Sequence, residues 1–223
     1  MNSKLFFQAL LKFLIGLVIV AALIFLPAWT LKYPQGWMLL GILFVPMFFA
    51  GLVMMKKNPE LLKKRLNAKE EESEQKEVIA LSGLMFLAAF ISAGLSFRFN
   101  FLMLPFTVNV IAAVVFLLAY VLYAEVLREN TWLSRTIEVQ EDQKVIDTGL
   151  YGIVRHPMYM APVLLFLAMP LVLGSVISFV IMLFYIPLIV KRIRNEEEVL
   201  KEGLPGYTEY MEKVKYRLIP FIW

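Results

Sequence analysis

The stretch Pro157–Val190 reads PMYMAPVLLFLAMPLVLGSVISFVIMLFYIPLIV and carries no charged side chain over 34 residues. As a single helix it would run roughly 51 Å at about 1.5 Å per residue, too long for one crossing of a hydrocarbon core about 30 Å thick. Pro170 and Gly174 fall near its middle. Two short helices, about Met158–Val172 and Ser175–Val190, joined by a tight turn, fit the stretch better than one.

Four more uncharged windows precede it: Phe13–Leu31, Tyr33–Met55, Val78–Phe97 and Phe99–Ala124. Each is close to the ~20 residues that span a bilayer as a helix. The whole chain of 223 residues is 60% hydrophobic and 18% charged, with a mean hydropathy of +0.72, an apolar excess that no soluble core of this size can bury. The expected fold is therefore all-α, a multispan transmembrane bundle of about six membrane helices. The last two form a hairpin, followed by a short cytoplasmic helical tail. The first window is too long for a signal peptide's apolar core and lacks a clear small-x-small cleavage site, so it reads as a retained span. No internal repeat of the transporter kind is visible.

Six spans place 20 of the 22 basic residues on one side, leaving Lys32 and Arg98 on the other. By the positive-inside rule both termini, the loop 56–77 and the segment 128–155 are cytoplasmic. The formal charge of +4 is then explained by orientation and contact with anionic lipid, with no nucleic-acid partner expected. In the loop, Asn58-Pro59-Glu60 reads as the start of a surface helix. With no cysteine and one histidine, disulfides, thiol catalysis and a multi-histidine metal site are excluded, and no metal is expected. The compact length suggests a prokaryotic cell membrane.

Chemistry gathers at the two ends of the hairpin that share a side. Before it stands Leu150-Tyr151-Gly152-Ile153-Val154-Arg155-His156-Pro157-Met158-Tyr159, where the only histidine precedes a proline suited to a first helical turn. Alone, Arg155 and His156 read equally well as interfacial residues, with Tyr151 and Tyr159 as aromatic-belt anchors. After the hairpin comes Lys191-Arg192-Ile193-Arg194-Asn195-Glu196-Glu197-Glu198, in which Arg192 and Glu196 are helical neighbours at i,i+4. A tight hairpin makes the two clusters neighbours in space. Glu125, near the cytoplasmic end of the fourth window, is a further candidate wall of an acceptor site.

These residues resemble the isoprenylcysteine carboxyl methyltransferase family, which includes phospholipid methyltransferase-like proteins. The matching elements run from Gly149-Leu150-Tyr151 through Arg155-His156-Pro157-Met158-Tyr159 to Arg192, Glu196-Glu197 and Leu200. They continue in Leu204-Pro205-Gly206-Tyr207, Tyr210 and Tyr216-Arg217-Leu218-Ile219-Pro220. Ala161 departs from the glycine expected two residues after the motif tyrosine. The first 127 residues match only as generic spans, which divides the chain into a transmembrane region, 1–127, and a catalytic region, 128–223.

The resemblance implies an integral-membrane methyltransferase with S-adenosylmethionine as cofactor and a lipophilic or small methyl acceptor, an isoprenylcysteine-like carboxylate being preferred. It implies cofactor contacts from Gln143, Lys144, Val145, Ile146, Tyr151, Arg155, His156, Pro157, Met158, Tyr159 and Glu196. The catalytic candidates are His156, Arg192 and Glu197, with Arg192 near the acceptor. The chemistry of the residue types agrees: Glu196 suits the cofactor's ammonium, Arg155 or backbone N–H groups its carboxylate, and Tyr151 or Tyr159 its adenine or sulfonium. No G-x-G-x-x-G stands on a strand, which excludes a soluble dinucleotide-type scaffold. Two other readings are a small transporter or structural membrane protein, and a sterol-type membrane reductase using a nicotinamide cofactor.

Overall fold

The computed structural model describes residues 3–66, 73–130, 132 and 139–223, so parts of the 56–77 loop and of the 128–155 connector lie outside the described residues. Those that are described form α1 (Ser3–Ala28), α2 (Pro34–Lys57), α3 (Pro59–Leu66), α4 (Ser73–Phe99), α5 (Phe106–Glu129), α6 (Pro157–Val172), α7 (Val176–Leu183), α8 (Tyr185–Gly203) and α9 (Tyr207–Lys213), with a 3₁₀ turn at Gly149–Gly152. Prolines open α2, α3 and α6, because the first turn leaves its N–H groups without helical partners and loses nothing to proline. The surface helix read from Asn58-Pro59-Glu60 is α3.

The expected multispan helical bundle is what forms. Among the described residues, five helical stretches are long and apolar enough to cross a membrane: 4–28, 34–57, 78–99, 106–129 and the α7–α8 run 176–203. α6 is a shorter apolar helix. Large side chains such as Phe7, Val18 and Val121 face outward, where lipid tails solvate them. Helix association then rests on close packing of small residues. Ala89 and Ala93 of α4, Ala112, Ala113 and Ala119 of α5, and Ala161 and Ala168 of α6 are all buried. Ala161, the departure from glycine, fits in this packing without exposure.

The hairpin turns where expected, after Val172, but its second arm does not stop at Val190. It breaks at Phe184, where Pro187 lacks the N–H that would bond the Leu183 carbonyl. It then continues unbroken through the charged residues to Gly203. The end of the apolar window marks where the helix leaves lipid, and the helix itself runs on because Glu and Lys are good helix formers.

With 16 residues, α6 rises about 24 Å, some 6 Å less than the ~30 Å hydrocarbon core. Its turn therefore needs internal partners for every backbone polar group. Asn109 Nδ2 donates to the Leu171 carbonyl at 2.8 Å, the Tyr33 hydroxyl to the Leu173 carbonyl, and Leu104 N to the Gly174 carbonyl at 2.8 Å. Val176 N in turn donates to the Leu102 carbonyl at 3.2 Å. Ser175 donates to Ser96 Oγ at 2.9 Å and caps α7 by accepting from Ser178 N. Gly174 adopts φ +77°, and a Cβ there would stand 3.0 Å from Asn109 Nδ2, so the turn has room for no side chain. The hairpin is thus locked at the end remote from the charged clusters.

Candidate active site

Pro157 starts α6 and leaves His156 outside it at φ −126°, free to pair with a second segment. That segment is 214–217. Arg155 N and His156 N donate to the carbonyls of Tyr216 and Arg217 at 2.9 and 2.8 Å. The Arg155 guanidinium turns the same way, bonding the carbonyls of Val214 and Lys215 through Nη1 at 2.8 and 3.0 Å. Its Nε donates to Glu197 Oε1 at 2.8 Å.

Glu197 is the centre of this group. It is 1% exposed and takes Arg217 Nε on its second oxygen at 2.8 Å, while His156 Nε2 lies 3.3 Å from Oε1. One carboxylate thus binds two guanidiniums and an imidazole, and its partners supply the geometry that a buried charge requires. Its place on α8 follows from helical spacing, since Ile189, Ile193 and Glu197 stand four residues apart and are all buried.

One step around the same helix, Arg192, Glu196 and Leu200 face an open-mouthed cavity of about 80 Å³. Arg192 Nε donates to the Tyr159 hydroxyl at 3.0 Å. Glu196 Oε2 is buried and has no hydrogen-bond partner. The Tyr151 hydroxyl shares that condition, with Asn130 nearby but completing no bond.

The remaining wall comes from elements with separate anchors. Val145 packs into a small core with Leu204, Tyr207 and Tyr210, whereas Ile146 packs on Val126, Leu150 and Tyr151. Successive residues of this extended stretch therefore tie α9 to α5. Glu129 accepts from Leu150 N at 2.9 Å and holds the 3₁₀ turn. Gly149, at φ +54°, is required there because a Cβ would overlap the Glu129 carboxylate. The turn delivers Tyr151, whose carbonyl accepts from the Tyr210 hydroxyl at 2.7 Å. The Tyr207 hydroxyl lies 3.5 Å from His156 Nε2. Burial, reinforced by the charges of Glu197 and Glu196, pushes the Tyr207 phenol far above its ordinary value, and burial does the same to Tyr210. Both stay protonated at neutral pH.

Among the residues singled out from the sequence, Gln143, Lys144, Val145, Ile146, Tyr151, Arg155, His156, Met158, Tyr159, Arg192 and Glu196 all line this one cavity. Pro157 and Glu197 do not. Pro157 is buried at the start of α6, and Glu197 lies one layer behind the wall. Glu125 is also elsewhere, exposed and paired with Arg128 at 2.6 Å. Asn130, Trp132, Leu200, Leu204, Tyr207 and Tyr210 complete the lining. Leu200, Leu204, Tyr207 and Tyr210 were visible as motif residues without assigned roles. Asn130 and Trp132 follow α5 directly and carry no motif in the sequence.

Fold and cavity together define a multispan helical membrane protein with a polar site at the foot of a hairpin. Residues 108–202 match the model of the isoprenylcysteine carboxyl methyltransferase (ICMT) family, which bears out the resemblance from Gly149 to Leu200 and extends it back into α5, while the motif residues from Leu204 onward lie beyond the match. A curated relative, the Delta(14)-sterol reductase TM7SF2 of Mus musculus, is 30% identical over 91 residues, 40% of this chain and 22% of that protein. The chain thus spans about a fifth of that relative's length.

Proposed function

We propose that the protein is an integral-membrane methyltransferase that uses S-adenosylmethionine at the cytoplasmic face, with 128–223 as its catalytic region. The observation that carries this reading is Glu196 Oε2, a buried carboxylate oxygen left without a hydrogen-bond partner on the wall of an open cavity lined by aromatic and polar residues. A buried carboxylate oxygen without a hydrogen bond is costly, and a ligand that brings an ammonium group to it removes the cost. S-adenosylmethionine brings an ammonium, and the unpartnered Tyr151 hydroxyl offers a second polar contact. When bound, that cofactor supplies an electrophilic methyl group on a cationic sulfonium. The family match over 108–202 supports the same assignment.

The chain's own residues bind, orient and exclude water. Tyr151, Tyr159, Tyr207 and Tyr210 give the cavity an aromatic wall suited to adenine and to a cation. Gln143, Lys144, Val145, Ile146 and Met158 close its other sides. The Arg155 guanidinium is committed to Glu197 and two carbonyls, so it shapes the site more than it reaches a ligand. Arg192, held by the Tyr159 hydroxyl, orients an anionic acceptor. A carboxylate such as that of an isoprenylcysteine needs no base, and its methylation then depends chiefly on positioning. His156 Nε2 lies 3.3 Å from the Glu197 carboxylate, which orients the ring, and the imidazole is the base candidate for an amine acceptor. Glu197 itself is a positioning residue, since it orients His156 and Arg155 from behind the wall.

Titration of the purified chain with S-adenosylmethionine by calorimetry tests the cofactor, with saturable binding expected and none overturning the reading. Incubation with radiolabelled-methyl cofactor and a total membrane lipid extract then identifies the acceptor by the fraction labelled. The similarity to a sterol reductase over 91 residues supports a second reading, a nicotinamide-dependent reductase. Competition between the two cofactors for the cavity separates them.

A further inference from the structure

The stretch 214–223 returns from α9 along the base of the hairpin. Its first part is the strap whose Tyr216 and Arg217 carbonyls hold the amides of Arg155 and His156. Its second part closes a turn. Leu218 N and Ile219 N both donate to the Trp223 carbonyl, at 2.9 and 3.0 Å, and Trp223 N donates back to the Ile219 carbonyl at 3.1 Å. Leu218 is buried, and Trp223 packs against the same core cluster that contains Tyr159, Ile189 and Ile193. The Arg217 guanidinium stacks 5.4 Å over the Trp223 ring. These contacts fix the height of the turn at the level where α6 and α8 pass from apolar to charged sequence.

At the tip of the turn, Phe221 is 87% and Ile222 76% exposed, and Phe221 is more exposed than any other large apolar side chain among the described residues. The Phe221 ring is held outward by Tyr216, 5.3 Å between centroids. Lys213, Lys215 and Arg217 immediately precede the tip. Lys213 lies 3.8 Å from Asp147 and Arg217 is held by Glu197, whereas Lys215 is exposed; aromatic and aliphatic side chains at interface height beside that lysine match the chemistry of a leaflet bearing anionic headgroups.

We propose that the 218–223 turn inserts Phe221 and Ile222 into the lipid leaflet beside the cavity, and that this insertion clamps the 216–217 strap onto Arg155 and His156. The proposal goes beyond the methyltransferase reading and depends on no cofactor. Because the chain has no cysteine, Ile222→Cys and Glu212→Cys each give a single spin-labelling site. In nanodiscs of mixed zwitterionic and anionic phospholipid, the label at 222 is expected to collide more with dissolved oxygen than with a water-soluble nickel chelate, and the label at 212 the reverse. Water-like accessibility at 222 would overturn the insertion. Hydrogen exchange at the amides of Arg155 and His156 tests the clamp in the double variant Phe221→Ser, Ile222→Ser. Exchange about tenfold faster than in the parent is expected, a change of ~1.4 kcal/mol in the opening equilibrium. Unchanged exchange would overturn the clamp.

Discussion

At one end of the α6–α8 hairpin, Arg155, Glu197 and Arg217 meet in an ion-paired group beside an open cavity. At the other end, Tyr33, Ser96, Asn109 and Ser175 close the turn with neutral hydrogen bonds. Both ends solve the same problem, that backbone and polar side chains near lipid must find partners within the protein. They solve it with different groups because a charge in hydrocarbon costs far more than an amide or hydroxyl. Only the end that opens on a polar cavity can keep guanidiniums and carboxylates. The unmatched atoms differ as well. The neutral end leaves Gln35 Oε1 unpaired, an uncharged amide on a half-buried residue. The charged end leaves a carboxylate oxygen of Glu196 and the Tyr151 hydroxyl. Locking belongs to the first end and the proposed ligand binding to the second.

The largest effect expected from this division is that of Glu197→Ala. It strands Arg155, whose side chain is 5% exposed, and frees Arg217 and His156 together. Removing one partner of a buried pair costs about 3–5 kcal/mol. The lower part of that range applies because Arg217 is 30% exposed and rehydrates. Thermal unfolding in detergent should show a large loss, accompanied by weakened cofactor binding. A variant that kept the parent's stability would remove Glu197 from the centre of the group.

Glu196→Gln should behave in the opposite way. Its Oε2 has no partner in the protein, so stability should hold or rise slightly. A charge-assisted hydrogen bond to a ligand, worth about 1.5–3 kcal/mol, is lost, which is roughly ten- to hundredfold in affinity. Calorimetry on the same preparation reads both, and parent-like affinity would sink the role given to Glu196.

The contrast between these neighbouring glutamates shows what the sequence made legible and what it did not. The hairpin, its turn and the clustering of Arg155-His156 with Arg192-Glu196 followed from charge placement and two prolines, because those are local signals. The division of labour between Glu196 and Glu197 depends on a rotation of about 100° around one helix. The spacing of Ile189, Ile193 and Glu197 carried that signal, but hydrophobic periodicity is seldom read onto a carboxylate. Arg217 reaches Glu197 from an irregular strap, and Tyr33 reaches the Leu173 carbonyl across 140 positions. Neither contact has a periodic precursor in the chain. Glu129 was hidden for another reason, since its role appears only once the positive φ of Gly149 brings the 3₁₀ turn beneath it.

At the neutral end, Asn109→Leu preserves the approximate bulk of a fully buried side chain but removes the side-chain donor to the Leu171 carbonyl, which keeps Gly174 N at 3.1 Å, and the acceptor of Gln35 Nε2. The expected cost is about 1–3 kcal/mol of stability. Cofactor affinity should be unchanged, because no bond from Asn109 reaches the cavity. A fall in affinity as large as that of Glu196→Gln would break the separation of the two ends.

The smallest effect is expected for Ser175→Ala, and it sharpens the comparison because Ser175 has two duties. Its Oγ caps α7 by accepting from Ser178 N at 3.2 Å and donates to Ser96 Oγ at 2.9 Å. Loss of a serine cap typically costs about 1 kcal/mol, and α7 is too short to form without its neighbours. The Ser96 hydroxyl, however, can turn to another acceptor such as a backbone carbonyl of its own helix, as Ser92 does with the Ala89 carbonyl. The second bond should therefore be largely replaceable, and the measured loss should stay near the value of the cap alone. A double-mutant cycle with Ser96→Ala checks this, with a coupling energy near zero expected. A strong coupling would mean that α4 and the hairpin turn depend on this hydroxyl pair. The lock would then be a connected network like the charged group at the other end, in place of a set of independent neutral bonds.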